Sequence, residues 1–446
     1  MVAFNTKELN VAESSTYAKE DHQKEGGNMS FLKANLAIAR LIEFQNPQKM
    51  VFGVGAAEKV GEEAKRLGGG RVFVVSDENI ERLGILSKIL KSLEEKDLDV
   101  KLYKISAAEP TMDSANAVAD AVRLEKYDVV VGVGGGSCLD LAKLAATMAT
   151  NPGGVQEYCA RVKGEIKEVK NKTLPKILIP TTAGTGSEAS NTLVIIEQEY
   201  KTWITDNKIL AEVAIIDPAL TLTLPARMTA GTGIDALSHV MEALMSVQAN
   251  PVSDALSLEA VKLIFKSLRK AYHHGEAIEA RWDMSLAATL GGWVIGFPWI
   301  GGPATIGHCI SEAVGSKYKI PHGVACGIAL PYAMEYNFPL LIDKLAMVAT
   351  VMGEDATGLA KRDAAHRSID STLRLMEDVD MPISLREVGV PEKDLKALAE
   401  YIVNERQYLY NLSAFNPRKL TLQNVTQLLE RMWKGEIGSV RASIST

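Results

Sequence analysis

The stretch that decides the fold is DVVVGVGGGSCLDLAK, residues 128–143. Its valine run ends in Gly134, Gly135 and Gly136, and a helix-type pattern begins at Ser137. A β-branched run bounded by glycines predicts a buried strand, and the spacing that follows predicts a helix. Free backbone N–H groups at the start of such a helix bind phosphate, so the turn predicts a phosphate-binding loop. A tight strand-to-helix turn without a ligand is the alternative, because one glycine fingerprint is weak.

Outward from this stretch, β-branched runs alternate with amphipathic runs from about residue 48 to 222. The predicted strands are RVFVVSD (71–77), DVKLYKI (99–105), DVVVGVGGG (128–136) and KILIPTT (176–182). The predicted helices between them are ERLGILSKILKSLEEK (81–96), SANAVADAVRLEKY (114–127) and SCLDLAKLAATMAT (137–150). Such alternation predicts a parallel α/β sheet of a variant Rossmann-like type.

The pattern changes at Pro225, after which extended runs nearly vanish and apolar residues recur at helical spacing. This predicts a second, all-helical domain. We therefore expect a polar leader at residues 1–46, a nucleotide-binding α/β domain at 47–222 and a helical domain at 223–446.

The composition excludes several classes of protein. The 446 residues carry 49 Lys and Arg against 55 Asp and Glu, so the net charge of −6 lacks the basic footprint of nucleic-acid binding. Four cysteines without a CxxC pair predict neither a disulfide framework nor a thiolate zinc site. The polar N-terminus has no signal-peptide pattern. Together these features predict a cytoplasmic protein that binds no nucleic acid.

One uncharged stretch, Met284–Ser311, is long enough to suggest a membrane span. Its glycines and prolines instead favour a buried helix that turns into a pocket-lining loop, so we expect no membrane association. Its aromatic residues Trp293, Phe297 and Trp299 could wall a cleft with apolar surface, and packing in the core explains them equally well.

A second glycine-rich turn, PTTAGTGSEAS (180–190), follows the predicted strand KILI. Its small polar side chains and flexible backbone suit a pyrophosphate or a ribose; they are Thr181, Thr182, Thr185 and Ser187. Asp77 ends an earlier strand, where a carboxylate would hold the adenosine ribose and favour NAD by repelling the 2′-phosphate of NADP. An N-cap of the following helix is the other interpretation of Asp77.

The helical half contains a set of residues typical of a metal site. Asp235 and His239 are four residues apart, so they share one helix face. His308 and His322 lie in Gly-flanked apolar segments. One carboxylate and three imidazoles suit Fe²⁺ or Zn²⁺, which would polarise a substrate oxygen for hydride transfer with a nicotinamide. A single histidine on an apolar face is more often a core residue. What favours a metal site is the presence of three such histidines together with Asp235.

From about Pro47 onward the chain resembles the iron-containing (group III) alcohol dehydrogenase family. The motifs that carry the resemblance are GGGSxxDxAK at Gly134–Lys143, PTTAGTGSE at Pro180–Glu188, GxDALxHxxEA at Gly233–Ala243, the segment His308–His322 and NPRxLT at Asn416–Thr421. The resemblance implies metal ligation by Asp235, His239, His308 and His322. It implies NAD contacts by Asp77, Gly134, Gly135, Gly136, Ser137, Asp140, Thr181, Thr182 and Ser187.

The chain departs from the family at Glu312, where many members have a second histidine that helps to relay the proton. Glu312 follows His308 by four residues, so it could relay a proton itself or orient the ligand. The leader is a further departure without a functional account.

We therefore expect an NAD-linked, metal-dependent alcohol dehydrogenase or aldehyde reductase, with Fe²⁺ or alternatively Zn²⁺. Its partners would be a small alcohol or aldehyde and further copies of the chain. The alternatives are a glycerol or hydroxyacid dehydrogenase or a transhydrogenase on the same scaffold, or a non-catalytic nucleotide-binding protein. A carboxylate substrate would need a cation in the cleft, for which Lys317 and Lys319 are the candidates.

Overall fold

The computed structural model describes residues 42–105, 110–297 and 305–438. Its first half contains a six-stranded, fully parallel sheet in the order β1-β8-β5-β4-β2-β3. The strands are β1 (Lys49–Phe52), β2 (Arg71–Asp77), β3 (Asp99–Ile105), β4 (Val129–Gly134), β5 (Lys176–Pro180) and β8 (Val213–Ile216). An antiparallel hairpin, β6 (Thr192–Glu197) and β7 (Tyr200–Thr205), stands apart from this sheet.

Helices cover both faces of the sheet: α1 (Val60–Arg66), α2 (Glu78–Arg82), α3 (Ile85–Glu94), α4 (Met112–Arg123) and α5 (Gly136–Met148). Alternate residues of β2 belong to opposite cores, because successive side chains of a strand point to opposite faces. Phe73 and Val75 pack with α4 and α5, whereas Val72 and Val74 pack with α1 and α3. Both faces are therefore buried, which explains the unbroken apolar runs of these strands.

The structure confirms the predicted fold class and corrects some elements. The single helix predicted for residues 81–96 is two helices, α2 and α3, separated at Gly84 with φ +73°. A left-handed residue interrupts the helical backbone, and glycine adopts that conformation readily. The hairpin of β6 and β7 and the strand β8 were not predicted. The hairpin turn includes Gln198 at φ +57°, a residue type without the usual turn signal.

The second half is helical, as predicted. Its α-helices are α6 (Ala226–Met245), α7 (Pro251–His273), α8 (Ile278–Ile295), α9 (Ile306–Tyr318), α10 (His322–Asn337), α11 (Ile342–Val351), α12 (Lys361–Asp378), α13 (Leu395–Tyr401), α14 (Gln407–Leu409), α15 (Leu412–Phe415) and α16 (Leu422–Lys434). A π-helical turn, Ile402–Arg406, joins α13 to α14. Short 3₁₀ helices are Ala56–Lys59, Val155–Tyr158, Asn207–Ile209, Pro218–Thr221, Phe338–Leu340 and Glu392–Asp394.

The central helices α6 and α10 are buried over most of their length, including the polar residues Asp235, His239 and Glu242 of α6. One continuous apolar core joins them to α7, α8, α9 and the later helices. The uncharged stretch Met284–Ser311 is divided between α8, which ends at Ile295, and α9, which begins at Ile306. Across the described ranges, no helix has the length and apolarity needed to span a bilayer.

Candidate active site

The two glycine-rich turns lie against each other at the carboxyl ends of β4 and β5. Gly134 has φ +147°, and an added Cβ there would lie 2.7 Å from the Cβ of Cys138. A Cβ on Gly136 would lie 2.7 Å from a methyl carbon of Thr185 in the second turn. The N–H of Thr181 donates to the carbonyl of Gly134 at 2.9 Å. Close packing therefore requires these glycines and leaves the N-terminus of α5 open for an anion.

A buried polar cluster fixes the second turn to α5. The hydroxyl of Ser187 donates to Asp140 Oδ1 at 2.6 Å, and the N–H of Val194 donates to Asp140 Oδ2 at 3.0 Å. Lys143 Nζ lies 3.8 Å from Asp140 and donates to the carbonyl of Thr192 at 2.8 Å. Burial raises the pKa of Asp140 and lowers the pKa of Lys143 to about 8. Asp140 thus couples α5, the second turn and the β6–β7 hairpin.

Asp77 caps helix α2. Its Oδ1 accepts from the N–H of Asn79 at 2.8 Å and of Ile80 at 3.0 Å, so the N-cap interpretation is confirmed. Its Oδ2 accepts from the thiol of Cys138 at 3.2 Å and lies 3.6 Å from where Gly134 would carry a Cβ. The carboxylate therefore lies beside the first glycine turn as well as capping the helix.

A cavity of about 640 Å³ connects these turns with the helical half. This volume is typical of small-molecule and cofactor sites. The predicted residues that line it are Gly135, Gly136, Ser137, Asp140, Thr182, Thr185, Ser187, Asp235, His239, His308, Glu312 and His322. Three predicted cofactor residues, Asp77, Gly134 and Thr181, are not among the described lining residues. Lining residues without a predicted site role include Ser190, Thr192, Trp203, Arg227 and Thr232.

At the helical end of the cavity, four predicted side chains converge. Oδ1 of Asp235 lies 3.8 Å from Nε2 of His239, 3.8 Å from Nε2 of His308 and 3.6 Å from Nε2 of His322. The rings of His239 and His308 stack with centroids 4.8 Å apart. Asp235 Oδ1 is buried without a hydrogen-bond partner among the described residues. A buried, unpaired carboxylate oxygen surrounded by imidazoles suits a bound cation.

The charges of these four buried side chains influence one another. Burial raises the pKa of the Asp235 carboxyl, but the neighbouring His239, His322 and His308 outweigh it and hold the pKa well below its usual range. Burial lowers the pKa of His239 and of His322. Burial also lowers the pKa of His308, but Cys326, Glu242 and Asp235 outweigh it and raise that pKa well above its usual range. Metals are ligated by ionised carboxylate and neutral imidazole, so His308 gives up the proton on Nε2 when an ion binds.

Two residues of this group were not predicted. Glu242 Oε1 lies 2.6 Å from Nδ1 of His308, so the ring donates there and its Nε2 faces Asp235. Glu242 follows His239 by three residues and lies in the same motif, which is the signal that would have found it. The other is Cys326. Its Sγ and one donor atom each of Asp235, His308 and His322 all lie within 4.8 Å of one another. The sequence had predicted no thiolate metal site.

Glu312 lines the cavity, and its carboxylate is hydrogen-bonded by the buried side chains of Arg406 and Tyr410. Its Oε2 accepts from Nη2 of Arg406 at 2.7 Å and from the hydroxyl of Tyr410. Arg406 is only 2% exposed, ends the π-helical turn and lies over the ring of Trp203. The ring of His308 is oriented by Glu242 instead. Glu312 therefore forms part of a buried charge network on the cavity wall.

Two of the predicted cleft aromatics, Trp293 and Phe297, are not among the described residues that line the cavity. Trp293 donates to the carbonyl of Gln45 at 2.9 Å, and Phe297 packs edge-on against Phe44. Trp299 lies outside the described residues. Among the described residues, Trp203 from β7 contributes an indole ring to the cavity wall. Its position depends on the hairpin that the sequence did not predict.

Lys317 and Lys319, the two candidate cations for binding a carboxylate substrate, are not among the described residues that line the cavity. Lys317 Nζ lies over the ring of Tyr318, and Lys319 is an exposed left-handed residue that ends α9. The cationic residues on the described cavity wall are Lys201 and Arg227.

Two glycine-rich turns of the phosphate-binding type that share one cavity with a carboxylate–imidazole group are the combination expected of a metal-dependent dehydrogenase. Comparison with known proteins identifies the family. The profile described as iron-containing alcohol dehydrogenase matches residues 47–218, and that of the C-terminal region of the Fe-containing alcohol dehydrogenase family matches residues 229–433. The chain belongs to the iron-containing alcohol dehydrogenase family.

Individual relatives agree with this assignment. The chain is 35% identical to long-chain-alcohol dehydrogenase 1 of Geobacillus thermodenitrificans, with 90% of this chain and 98% of that protein covered. It is 32% identical to the NAD-dependent methanol dehydrogenase of Bacillus methanolicus, with 87% and 99% covered. A crystal structure of 1,3-propanediol oxidoreductase superposes with a TM-score of 0.81 at 33% identity, covering 88% of this chain and 100% of that one. The predictions of an NAD-linked, metal-dependent alcohol dehydrogenase and of a small-molecule alcohol or aldehyde as its substrate are confirmed.

Proposed function

We propose that this chain interconverts small or medium, uncharged primary alcohols and their aldehydes with NAD in the 640 Å³ cavity. The observation that carries the proposal is that this cavity joins the N-terminus of α5 to the carboxylate–imidazole group. Its walls include Val194, Ile196, Trp203, Ile295 and Val324, which favour an apolar substrate body.

We further propose that Asp235, His239, His308 and His322 hold the ion, Fe²⁺ with Zn²⁺ as the alternative. The buried, unpaired Oδ1 of Asp235 supports this assignment, as does the chemistry of the donor set. When bound, the ion polarises a substrate oxygen and NAD exchanges a hydride at nicotinamide C4. Glu242 keeps the proton of His308 on Nδ1, so its Nε2 lone pair faces the site.

For the cofactor, we propose phosphate contacts at Gly134, Gly135, Gly136 and Ser137, and contacts of the second turn at Thr181, Thr182 and Ser187. The helix N-terminus after Gly135 supports the former, because its free N–H groups and dipole attract anions. Asp140 acts by holding Ser187 and Val194 in place. Asp77 would receive the adenosine ribose beside Gly134.

Replacing Asp77 with asparagine or glycine is expected to raise the kcat/KM ratio of NADPH to NADH by about tenfold, a gain of about 1.4 kcal/mol, because the repulsion of the 2′-phosphate is removed. Asparagine caps helices as well as aspartate does, and glycine loses only a few tenths of a kcal/mol. Stability should therefore stay nearly constant, as thermal unfolding would show. An unchanged coenzyme ratio in both variants would leave Asp77 with its capping role alone.

For Glu312, we propose that it positions the cavity wall through Arg406 and Tyr410, rather than relaying a proton. Glu312→Gln leaves Arg406 buried without its counter-charge, which costs about 3 kcal/mol. The expected result is a lower urea midpoint with kcat and its pH profile largely kept. Combining Glu312→Gln with Arg406→Met should restore part of the stability, because the unpaired charge is then removed. A lost kcat and a shifted pH profile at unchanged stability would instead establish the relay.

The experiment that tests the proposed function is anaerobic NADH oxidation with a panel of short, long-chain and aromatic aldehydes. It is measured before chelation, after chelation, and after addition of Fe²⁺ or Zn²⁺. Activity that is lost with the chelator and restored by one ion supports the proposal and identifies the metal. NADH binding without turnover of any aldehyde would overturn it.

A second candidate is reduction of aldehydes that carry an anionic group. Lys201 lines the cavity and acts electrostatically on both Asp140 and His322, so a cation lies between the two ends of the site. Carboxylate-bearing aldehydes in the same panel test this candidate. A kcat/KM for them above that of alkyl aldehydes of equal length would favour it.

We also propose the domain limits 1–46, 47–222 and 223–446, which the two family profiles at 47–218 and 229–433 support. A homo-oligomer in the cytoplasm is proposed as well. The four cysteines are free thiols, as is usual for proteins of a reducing compartment. Light scattering of the purified chain tests the oligomer, and fractionation of cells tests the location.

A further inference from the structure

Cys326 lies in the metal group without a role in the proposed chemistry. It follows His322 by four residues on α10, so both side chains lie on one helix face. The side chain is only 1% exposed. Its Sγ lies 3.5 Å from Nε2 of His308 and 3.6 Å from Nε2 of His322, and the thiol donates to the hydroxyl of Ser311 at 3.3 Å.

These separations match those of donors around a single ion. Zinc–sulfur bonds of about 2.3 Å and zinc–nitrogen bonds of about 2.0–2.1 Å place tetrahedral S and N donors roughly 3.5 Å apart. The distances from Cys326 Sγ to the two imidazoles are 3.5 and 3.6 Å, and Asp235 Oδ1 lies 3.6 Å from Nε2 of His322. All four donor atoms lie within 4.8 Å of one another, so small side-chain adjustments allow them to bind one ion.

We propose that Cys326 is a metal donor, so that this chain has a second ligand set consisting of Asp235, His308, His322 and Cys326. The inference rests on the metal site of the proposed function and deepens it. The two sets share three residues, and the thiolate of Cys326 takes the place of the imidazole of His239. The thiol releases its proton to solvent when the ion binds.

The second set changes which ion the site prefers. Thiolate is a soft ligand that favours Zn²⁺, whereas carboxylate and imidazole without sulfur accept harder ions such as Mn²⁺ and Fe²⁺. Cys326→Ser keeps the shape of the side chain but removes the soft donor. We expect this variant to bind Zn²⁺ about tenfold or more weakly, with Mn²⁺ affinity changed less than about threefold.

The test uses the full chain, stripped of metal by chelation and titrated with Co²⁺, whose absorption reports its ligands. The wild type is expected to bind one Co²⁺ and to show a thiolate-to-cobalt charge-transfer band in the near ultraviolet. Cys326→Ser should bind Co²⁺ but lack the band. Cys309→Ser is the matched control, because Cys309 is equally buried and follows His308 directly in the chain but lies outside the donor group. It should keep the band.

His239→Ala separates the two ligand sets. The charge-transfer band is expected to persist in this variant, since the second set does not need His239. Cobalt bound by the wild type without the band, or a band equal in wild type and Cys326→Ser, would overturn the role of Cys326 while leaving the metal site intact. Failure of the wild type to bind Co²⁺ at all would overturn the metal site of the proposed function, and the inference with it.

Discussion

Asp235→Ala is expected to give a folded protein that retains no divalent ion and has a kcat/KM lowered by about 1,000-fold. Asp235 Oδ1 is within 3.8 Å of Nε2 of all three imidazoles, so its removal takes the central ligand and its charge from the site. Loss of Lewis-acid stabilisation worth about 4 kcal/mol corresponds to roughly this factor. Metal content by mass spectrometry, steady-state kinetics and far-ultraviolet circular dichroism measure the three parts of the expectation.

Asp283→Ala is the matched control for this substitution. Asp283 is a buried carboxylate of the same helical half, but it bonds to the hydroxyl of Ser267 and to Lys266. We expect it to lose stability and to keep its metal. If Asp235→Ala carried as much metal as the wild type, Asp235 would not be a ligand.

Gly292→Ala is expected to lower the free energy of unfolding by about 3 kcal/mol and kcat/KM with NADH by about 100-fold. Gly292 on α8 and Gly186 in the second glycine turn are in direct backbone contact. A Cβ on Gly292 would overlap the Gly186 carbonyl, with its carbon at 2.5 Å. Backbone cannot rotate away as a side chain does, so the turn must move. Because Ser187 and Asp140 follow that movement, cofactor binding suffers together with stability.

The neighbouring Gly291→Ala is the control for this prediction. A Cβ there meets the Cβ of His239 and a methyl group of Val240 at 3.5 Å, which is ordinary packing distance. Alanine is also the better helix former, by up to about 1 kcal/mol. We expect Gly291→Ala to be neutral or stabilising. Urea unfolding and NADH titration compare the pair, and equal behaviour of the two variants would contradict the backbone contact.

Much of the fold was predictable because local patterns determine it. The strand at 71–77 has the limits expected from its β-branched run, and the helix after Gly135 begins within one residue of the predicted position. The β6–β7 hairpin was missed because its turn at Gln198 lacks glycine or asparagine. Since Lys201 and Trp203 lie on that hairpin, the cavity wall that they form was missed with it.

The candidate site was predictable where one helix face holds its residues and unpredictable where distant elements meet. Helical spacing paired Asp235 with His239, and the Gly-flanked apolar segments around His308 and His322 added those two residues, in agreement with the family resemblance. The pairing of Glu312 with Arg406 joins residues 94 positions apart through a π-helical turn. No periodicity in the chain relates two such positions, so sequence reasoning left the role of Glu312 open.

By itself, the sequence determined the α/β-then-helical order and the two glycine-rich turns, because each depends on neighbours within a few residues. It also predicted the four residues proposed as ligands. Only the tertiary structure decided that Glu242 orients His308, that Cys326 joins the donors and that Arg406 holds Glu312. These contacts form only when separate elements pack, and burial increases their contribution to stability. A charge or thiol in water is solvated independently of its distant partners, whereas in the interior it must be satisfied by whatever packing brings beside it.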